Sequence, residues 1–105
     1  MISSDMIRGY VDVMILYFLM EKPSYAYELS RKIRQQTEEK YVLKETTLYS
    51  ALNRLEQADH VASYPDESSG KRRTYYRLLK SGQEYYEEKC QEWELIKQVI
   101  ERFIR

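Results

Sequence analysis

The polar side chains of residues 46–57 are of the kinds that bind nucleic acids. Asn, Gln, Arg, Ser and Thr side chains hydrogen-bond to base edges and phosphate oxygens, whereas a helix face that only meets water usually carries Glu and Lys. The candidate contacts on this stretch are Thr46, Thr47, Tyr49, Ser50, Asn53 and Arg54, and Gln57 lies on the same polar face. Their chemistry predicts recognition of a DNA duplex.

A helix has to position these side chains, and the apolar residues of the same stretch predict one. Four apolar residues recur at i, i+3, i+4 and i+7 and so share one inward stripe: Leu48, Ala51, Leu52 and Leu55. We expect Thr46 or Glu45 to cap this reading helix and to leave the first-turn amides free for a phosphate. An exposed amphipathic helix without a ligand is the alternative that the stretch alone leaves open.

Three cations follow on a predicted β-hairpin. Residues 61–64 and 74–78 are rich in β-branched and aromatic side chains, and residues 65–70 between them are turn formers. The cations at the tip and on the return strand are Lys71, Arg72 and Arg73. A hairpin beside a reading helix is the wing of a winged helix, and its cations would contact phosphates or a minor groove. Cations also protect exposed strand edges, but the preceding helix favours nucleic acid.

Two further helices precede the reading helix. Apolar spacing predicts a first helix over residues 5–20 and, after a break at a proline, a second one that Ser24 caps and that ends near Gln36. Residues 35–44 are polar and predict a turn or a loosely helical link. This order is the helix-turn-helix arrangement, in which the second helix enters the major groove. Tyr27, on the supporting helix, is a candidate phosphate contact, and a core tyrosine is the alternative.

Residues 81–105 predict one long amphipathic helix. Its apolar residues follow gaps of three and four, and the stripe is too long for a small wing domain to cover. We therefore expect it to pair with a partner helix. The residues expected at that contact are Tyr86, Cys90, Trp93, Ile96, Ile100 and Phe103.

Composition limits the other functions. The 105 residues have a formal net charge of zero, but the charge is segregated, because residues 71–80 hold five bases and no acid. A single cysteine and a single histidine exclude an internal disulfide and a Cys/His metal site. With no glycine-rich phosphate loop and no nucleophile beside a base, we expect neither an enzyme nor a cofactor. The apolar run 13–20 is too short to span a membrane, and a cytosolic protein is expected.

Four motifs together resemble the PadR family of bacterial transcriptional regulators over essentially the whole chain. They are Gly9 with the run ILYFL at 15–19, SYAYEL at 24–29, TLYSALNRLE at 47–56, and GKRRTYYRL at 70–78 followed by Gly82. The family usually has glycine where this chain has Ala26, which indicates ordinary helix there. It usually has a threonine cap where Leu79 stands, so the last helix must start differently, at Lys80 or Ser81.

The resemblance implies a homodimer made by the long helix together with the first one, and a single C-terminal helix looks like the short branch of the family. In multidrug-sensing short members, a tryptophan on the corresponding helix lines a hydrophobic pore at the dimer interface and stacks on flat aromatic compounds. The implied effector pocket is formed by Trp93 and its copy in the partner chain, with Tyr10, Met14 or Ile96 around it. The alternative is that Trp93 only fills the interface. A redox role for Cys90 lacks the neighbouring cations that would lower its pKa.

The sequence therefore predicts an α+β, mostly α, winged helix-turn-helix domain over residues 1–80 and a C-terminal dimerisation helix over residues 81–105. The predicted function is a homodimeric repressor whose reading helices enter successive major grooves of a pseudo-palindromic operator, with half-sites about 10 bp apart. A flat hydrophobic effector would change the angle or separation of the two heads. The alternative is a winged-helix module that binds another protein, and a salt-dependent affinity for DNA separates the two.

Overall fold

A computed structural model describes residues 2–3 and 6–105 of the chain. Along these residues the elements are α1 (Val11–Leu19), β1 (Ser24–Tyr25), α2 (Ala26–Gln36), α3 (Glu45–Gln57), β2 (Val61–Asp66), β3 (Arg73–Leu78) and α4 (Lys80–Glu101). The strands form one antiparallel sheet in the order β1-β3-β2. The predicted class, α+β with mostly helix, is confirmed.

The first helix is shorter than the sequence predicts. It begins at Val11, with Tyr10 as its N-cap, and residues 6–10 form turns instead of helix. Gly9 has a φ of +91°, a left-handed conformation that interrupts a right-handed helix, and this explains the late start. The predicted start at Asp5 lies outside the described residues.

The second helix starts after a strand that the sequence did not reveal. Ser24 and Tyr25 pair with Tyr76 and Tyr75 of β3, and Tyr25 occupies the N-cap position without a side-chain cap. The predicted capping role of Ser24 is therefore wrong. Its buried hydroxyl donates to Glu28 Oε1 at 2.6 Å, from within the sheet. Two residues are too few to show an alternating pattern.

The link into α3 is more ordered than its polar composition predicts. Glu38 and Glu39 have positive φ angles that turn the chain after α2, and the backbone N–H of Tyr41 donates to Thr37 Oγ1 at 3.3 Å. Tyr41 and Leu43 are buried. The N-cap of α3 is Lys44, without a side-chain cap, so the predicted caps Thr46 and Glu45 are wrong because both lie inside the helix.

The hairpin and the last helix form where the sequence predicts them, but Pro65 and Asp66, predicted as turn, belong to β2, and α4 ends at Glu101 instead of Arg105. β2 and β3 pair from Val61↔Leu78 to Asp66↔Arg73, and the backbone N–H of Leu79 donates to the His60 carbonyl at 3.0 Å. α4 then begins at Lys80 with Leu79 as its N-cap. α4 extends away from the other elements, and the chain including α4 measures 53 × 29 × 21 Å along its principal axes.

The core lies where the three short helices meet the sheet. Its fully buried side chains include Ile15 and Leu16 of α1, Leu29 of α2 and Leu52 and Leu55 of α3. The first turns of α4 join this core through Tyr85 and Tyr86, which are partly buried against it. Among the described residues, no helix is long and apolar enough to cross a bilayer.

Candidate nucleic-acid interface

α3 has the two faces that its sequence predicts. Its buried residues are Leu48, Ala51, Leu52 and Leu55, so the predicted apolar stripe is confirmed. The polar face is solvent-exposed except for the half-buried Thr47, and it comprises Thr46, Thr47, Tyr49, Ser50, Asn53, Arg54 and Gln57. A face of hydrogen-bonding side chains is thus available to a ligand along the whole helix.

The wing, residues 61–78, carries its cations in two different settings. Lys71 and Arg72 are exposed at the tip, and Arg72 Nη1 lies 3.9 Å from Glu67 Oε1. Arg73 is partly buried, with its guanidinium carbon 4.3 Å from the centre of the Tyr25 ring. That cation–π contact holds Arg73 against the sheet, so the tip cations are the freer pair for a polyanion.

A groove of about 570 Å³ separates the wing from α2 and α3. Tyr27 and Tyr49 line one side, while Lys71, Arg72 and Arg73 line the other. Tyr27 is 72% exposed, which excludes the alternative of a core tyrosine. The groove combines phenol hydroxyls with cations, the set of groups that binds a phosphate backbone.

A second groove, of about 310 Å³, borders the start of α3. It is lined by Thr46, Thr47, Ser50 and Arg54 and, from the turn before α1, by Arg8 and Gly9. Sequence reasoning missed Arg8, whose only signal was a cation beside a glycine. The structure therefore brings the first-turn hydroxyls of α3 and two arginines to one edge of the reading face.

Arg54 contacts the inside of the protein as well as solvent. Its side chain is 60% exposed, yet Nη2 lies 2.5 Å from Oδ1 of Asp12 on α1, whose side chain is only 5% exposed. The Tyr85 hydroxyl of α4 donates to Asp12 Oδ2 at 3.1 Å. Burial, and then the charge of Asp12, raise the pKa of Tyr85 to about 12. Sequence reasoning missed Asp12, although an acid inside an apolar helix was a visible signal.

The predicted effector residues are only partly brought together. Tyr10 and Trp93 form an edge-to-face pair with ring centroids 5.7 Å apart, and Trp93 remains 50% exposed. Lys89 Nζ lies 4.5 Å from the centre of the Tyr10 ring. Met14 lines a separate apolar groove of about 180 Å³ with Val13, Tyr17 and Phe18. Ile96 is 37% exposed on the outer half of α4.

The outer half of α4 is uncovered in the single chain. Tyr86 is partly buried, whereas the other predicted dimerisation residues are exposed: Cys90, Trp93, Ile96, Ile100 and Phe103. Tyr17 on α1 and Met20, the C-cap of α1, are also nearly half exposed. An apolar surface of this length on a helix is typical of a protein–protein contact. Across residues 2–3 and 6–105, no three His, Cys, Asp or Glu side chains cluster as a metal site requires.

Known proteins match this chain over nearly its whole length. A solved transcriptional regulator from Clostridium thermocellum is 55% identical, with a TM-score of 0.92, over 97% of this chain and 100% of that one. A PadR family transcription regulator from Clostridium difficile is 40% identical, with a TM-score of 0.81, over 92% of this chain and 100% of that one. An uncharacterized protein from Lysinibacillus sphaericus is 40% identical over 99% of this chain and 96% of its own length.

A family model agrees with these similarities. The model described as the transcriptional regulator PadR-like family matches residues 15–88, a range that runs from α1 through the wing into the first turns of α4. The neighbours are winged-helix proteins, so the predicted winged helix is confirmed along with the α+β class. The chain belongs to the PadR-like family of transcriptional regulators.

Proposed function

We propose that this regulator represses transcription as a homodimer that places α3 of each chain in the major groove of a pseudo-palindromic operator. The observation that carries the proposal is the exposed hydrogen-bonding face of α3 beside the cationic wing, with one groove between them. Asn53, Arg54, Ser50, Thr47 and Tyr49 are the proposed base or phosphate contacts on α3. The wing cations and Tyr27 add contacts to the phosphate backbone.

The dimensions of α3 fit one half-site. Its 13 residues span about 20 Å, and a helix of this diameter fits the major groove of B-DNA. Two such helices on one face of a duplex read half-sites about 10 bp apart. The wing of each chain then lies beside the adjoining backbone, where Lys71 and Arg72 release counterions when they meet phosphates.

The proposed dimer contact uses α4 and α1. The exposed apolar residues of α4 extend beyond the part of the helix that packs on its own domain, and Tyr17 on α1 and the C-cap Met20 add exposed apolar surface. Pairing with a second copy would remove this surface from water and set the distance between the two copies of α3. Repression follows if the bound dimer excludes other proteins from the same DNA.

A flat hydrophobic effector is proposed for the site that Trp93 and Tyr10 border. The edge-to-face pair leaves half of Trp93 exposed, so a flat ring has a surface on which to stack. Effector binding there would change how the two copies of α4 cross, and hence the separation of the α3 helices. Titration of the single tryptophan with flat aromatic cations and phenols should give saturable quenching that disappears in Trp93→Leu while the dimer persists.

The experiment that tests DNA binding is selection followed by a salt series. The purified protein is used to select duplexes from a random-sequence pool, and its affinity for the selected and for random duplexes is then measured at several salt concentrations. We expect a selected sequence with two related half-sites, and an affinity that falls steeply with salt because phosphates are neutralised. Failure to enrich any sequence, together with weak DNA binding at low salt, would favour the protein-interaction module.

A further inference from the structure

We infer that Asp12 is a positioning residue through which the orientation of α4 controls the DNA-reading side chain Arg54. This inference rests on the proposed function, since it assigns a role within the same reading face. Asp12 touches no DNA in this arrangement. It acts through the two groups that it holds, one on α3 and one on α4.

The carboxylate of Asp12 is shared between two helices. Oδ1 accepts from Arg54 Nη2 at 2.5 Å, and Oδ2 accepts from the Tyr85 hydroxyl at 3.1 Å. The Asp12 side chain is nearly inaccessible to water, whereas Arg54 is 60% exposed. A buried carboxylate needs its hydrogen-bond donors, so its position follows both of them. Displacement of Tyr85 therefore moves the Asp12 carboxylate, and this carboxylate orients Arg54.

Tyr85 moves with the base of α4. Its ring stacks on the His60 ring with centroids 4.5 Å apart and an interplanar angle of 14°. His60 Nδ1 lies 2.8 Å from Ser81 Oγ in the first turn of the same helix. His60 lies in the corner between α3 and β2, so its contacts with Tyr85 and Ser81 couple the first turns of α4 to the end of the reading helix, and a rotation or shift of these turns is transmitted to the Tyr85 hydroxyl.

The proposed effector contacts lie at the start of α1, which carries Asp12, and on α4, which carries Tyr85. Tyr10 precedes Asp12 by two residues, and Trp93 follows Tyr85 by eight, which is about 12 Å along α4. A change in the Tyr10–Trp93 contact thus acts on both elements that meet at Asp12. The Tyr10–Trp93 contact is thus linked to the reading face through the Asp12 carboxylate and its two donors, Tyr85 and Arg54.

Asp12 has two opposite effects on Arg54 as a DNA ligand. The ion pair holds the guanidinium in one place, which favours contact with a particular base or phosphate. It also offsets part of the positive charge that would attract any DNA. Removal of the carboxylate charge should therefore lower the preference for the selected sequence without lowering affinity for random DNA, a pattern that loss of folded protein cannot produce.

The test is a set of double-mutant cycles on DNA affinity. Asp12→Asn and Tyr85→Phe are each made with Arg54 present and with Arg54→Ala, and affinities are measured for the wild-type-selected duplex and for a random duplex across a salt series. We expect Asp12→Asn to reduce the selected-to-random ratio about ten-fold, with random-DNA affinity unchanged or higher, because a well-placed charged contact supplies discrimination of this order. Tyr85→Phe should act in the same direction by roughly three-fold.

In the Arg54→Ala background, neither change should alter the ratio further, because the side chain that Asp12 positions is gone. Gln83→Ala is the control, since it removes an exposed polar side chain from the first turn of α4, two residues before Tyr85, that is not one of the two donors to Asp12. We expect it to leave the ratio unchanged. If Asp12→Asn does not fold, Tyr85→Phe carries the test, because it retains the carboxylate and the Arg54 ion pair.

Two results would overturn the inference alone. One is a ratio that stays at the wild-type value in Asp12→Asn and Tyr85→Phe. The other is that Asp12→Asn or Tyr85→Phe lowers the ratio in the Arg54→Ala background as much as it does when Arg54 is present. When the ratio is unchanged because the affinities for both duplexes fall equally, the role of Asp12 is purely structural. A wild-type protein that enriches no sequence would instead overturn the proposed function, so the two failures are distinguishable.

Discussion

Gly82, in the first turn of α4, packs its bare α-carbon against the backbone carbonyl of His60. A Cβ built on Gly82 would overlap that carbonyl oxygen and would lie 2.8 Å from Leu78 Cδ1. The close approach joins α4 to the end of α3 and to the end of the wing. It sets the base from which the long helix leaves the domain, and with it the position of Tyr85.

Gly82→Ala should destabilise the protein. In an unobstructed helix, alanine is more favourable than glycine by about 1 kcal/mol, but here the added methyl group meets backbone that cannot rotate away. We expect a loss of about 1–3 kcal/mol in the free energy of unfolding, measured by urea denaturation. Gln83→Ala, at the next and exposed position, is the control and should change stability by under about 0.5 kcal/mol. A stabilised Gly82→Ala protein would contradict the close contact.

Asn53→Ala should reduce DNA specificity more than DNA affinity in general. Asn53 is exposed in the middle of the α3 reading face, where an amide can pair with a base edge. We expect the difference in binding free energy between selected and random duplexes to narrow by about 1–3 kcal/mol in a gel-shift or anisotropy assay. Gln35→Ala removes an exposed amide from the end of α2 and should leave it unchanged. An unchanged difference for Asn53→Ala would remove that residue from the reading face.

Arg72→Ala should weaken binding to every duplex by a similar factor. Arg72 is exposed at the tip of the wing, and the phosphates that we propose it contacts have the same chemistry at every base pair. The slope of log affinity against log salt should become shallower by about one. Arg34→Ala is the control, because Arg34 pairs with Glu39 beyond the end of α2. A sequence-dependent effect of Arg72→Ala would show that the wing reads bases.

Tyr85→Phe should change the stability of the protein at high pH. Burial and the Asp12 charge raise the pKa of Tyr85 from 10.0 to about 12. The folded-state pKa is the higher one, so the stabilisation by the neutral phenol is complete below pH 10 and is lost as pH approaches 12. The wild type should thus be more stable than Tyr85→Phe at neutral pH, and this difference should shrink between pH 10 and 12. Urea denaturation across that range measures it.

The corresponding control is Tyr27→Phe, since the Tyr27 side chain is 72% exposed. The unfolding free energy of Tyr27→Phe should change with pH in the same way as that of the wild type. A difference in stability between wild type and Tyr85→Phe that stays constant up to pH 12 would show that folding does not raise the pKa of the Tyr85 hydroxyl.

Ile100→Glu should convert the proposed dimer to monomer. Ile100 is 52% exposed on the outer half of α4, within the apolar stripe that we assign to the partner chain. An unpaired charge buried in each half of the contact should cost roughly 3 kcal/mol or more, a weakening of at least 100-fold by sedimentation equilibrium. Gln98→Glu adds the same charge half a helical turn away and should leave the dimer intact. Equal sedimentation of Ile100→Glu and wild type would place the contact elsewhere.

Local pattern was sufficient for α3, for the β2–β3 hairpin and for the long α4. In α3 the alternation of Leu48, Ala51, Leu52 and Leu55 with polar residues follows helical spacing, and burial of this stripe needs no knowledge of the partner elements. The turn formers between β2 and β3 predict the hairpin from local sequence alone. The absence of proline after residue 65 is an equally local signal, and it allows the long helix α4. These elements carry the reading face, the wing cations and the surface proposed for dimerisation.

Local sequence pattern failed where a distant contact or a single backbone angle decides the secondary structure. Gly9 ends the helical pattern that its apolar neighbours predict, because its φ is positive. Ser24 was expected to cap a helix, but pairing with Tyr76 makes it a strand residue. A two-residue strand exists only because β3 offers it a free edge.

What the sequence by itself determined is therefore the four helices, the β2–β3 hairpin, the family and the residue types on the proposed DNA-reading face. Which side chains contact one another was decided only by the tertiary structure. Arg54 meets Asp12 across 42 residues, and Tyr85 meets the same carboxylate across 73. Periodicity reports only which face of an element is apolar, whereas a shared buried carboxylate depends on how three helices pack against one another.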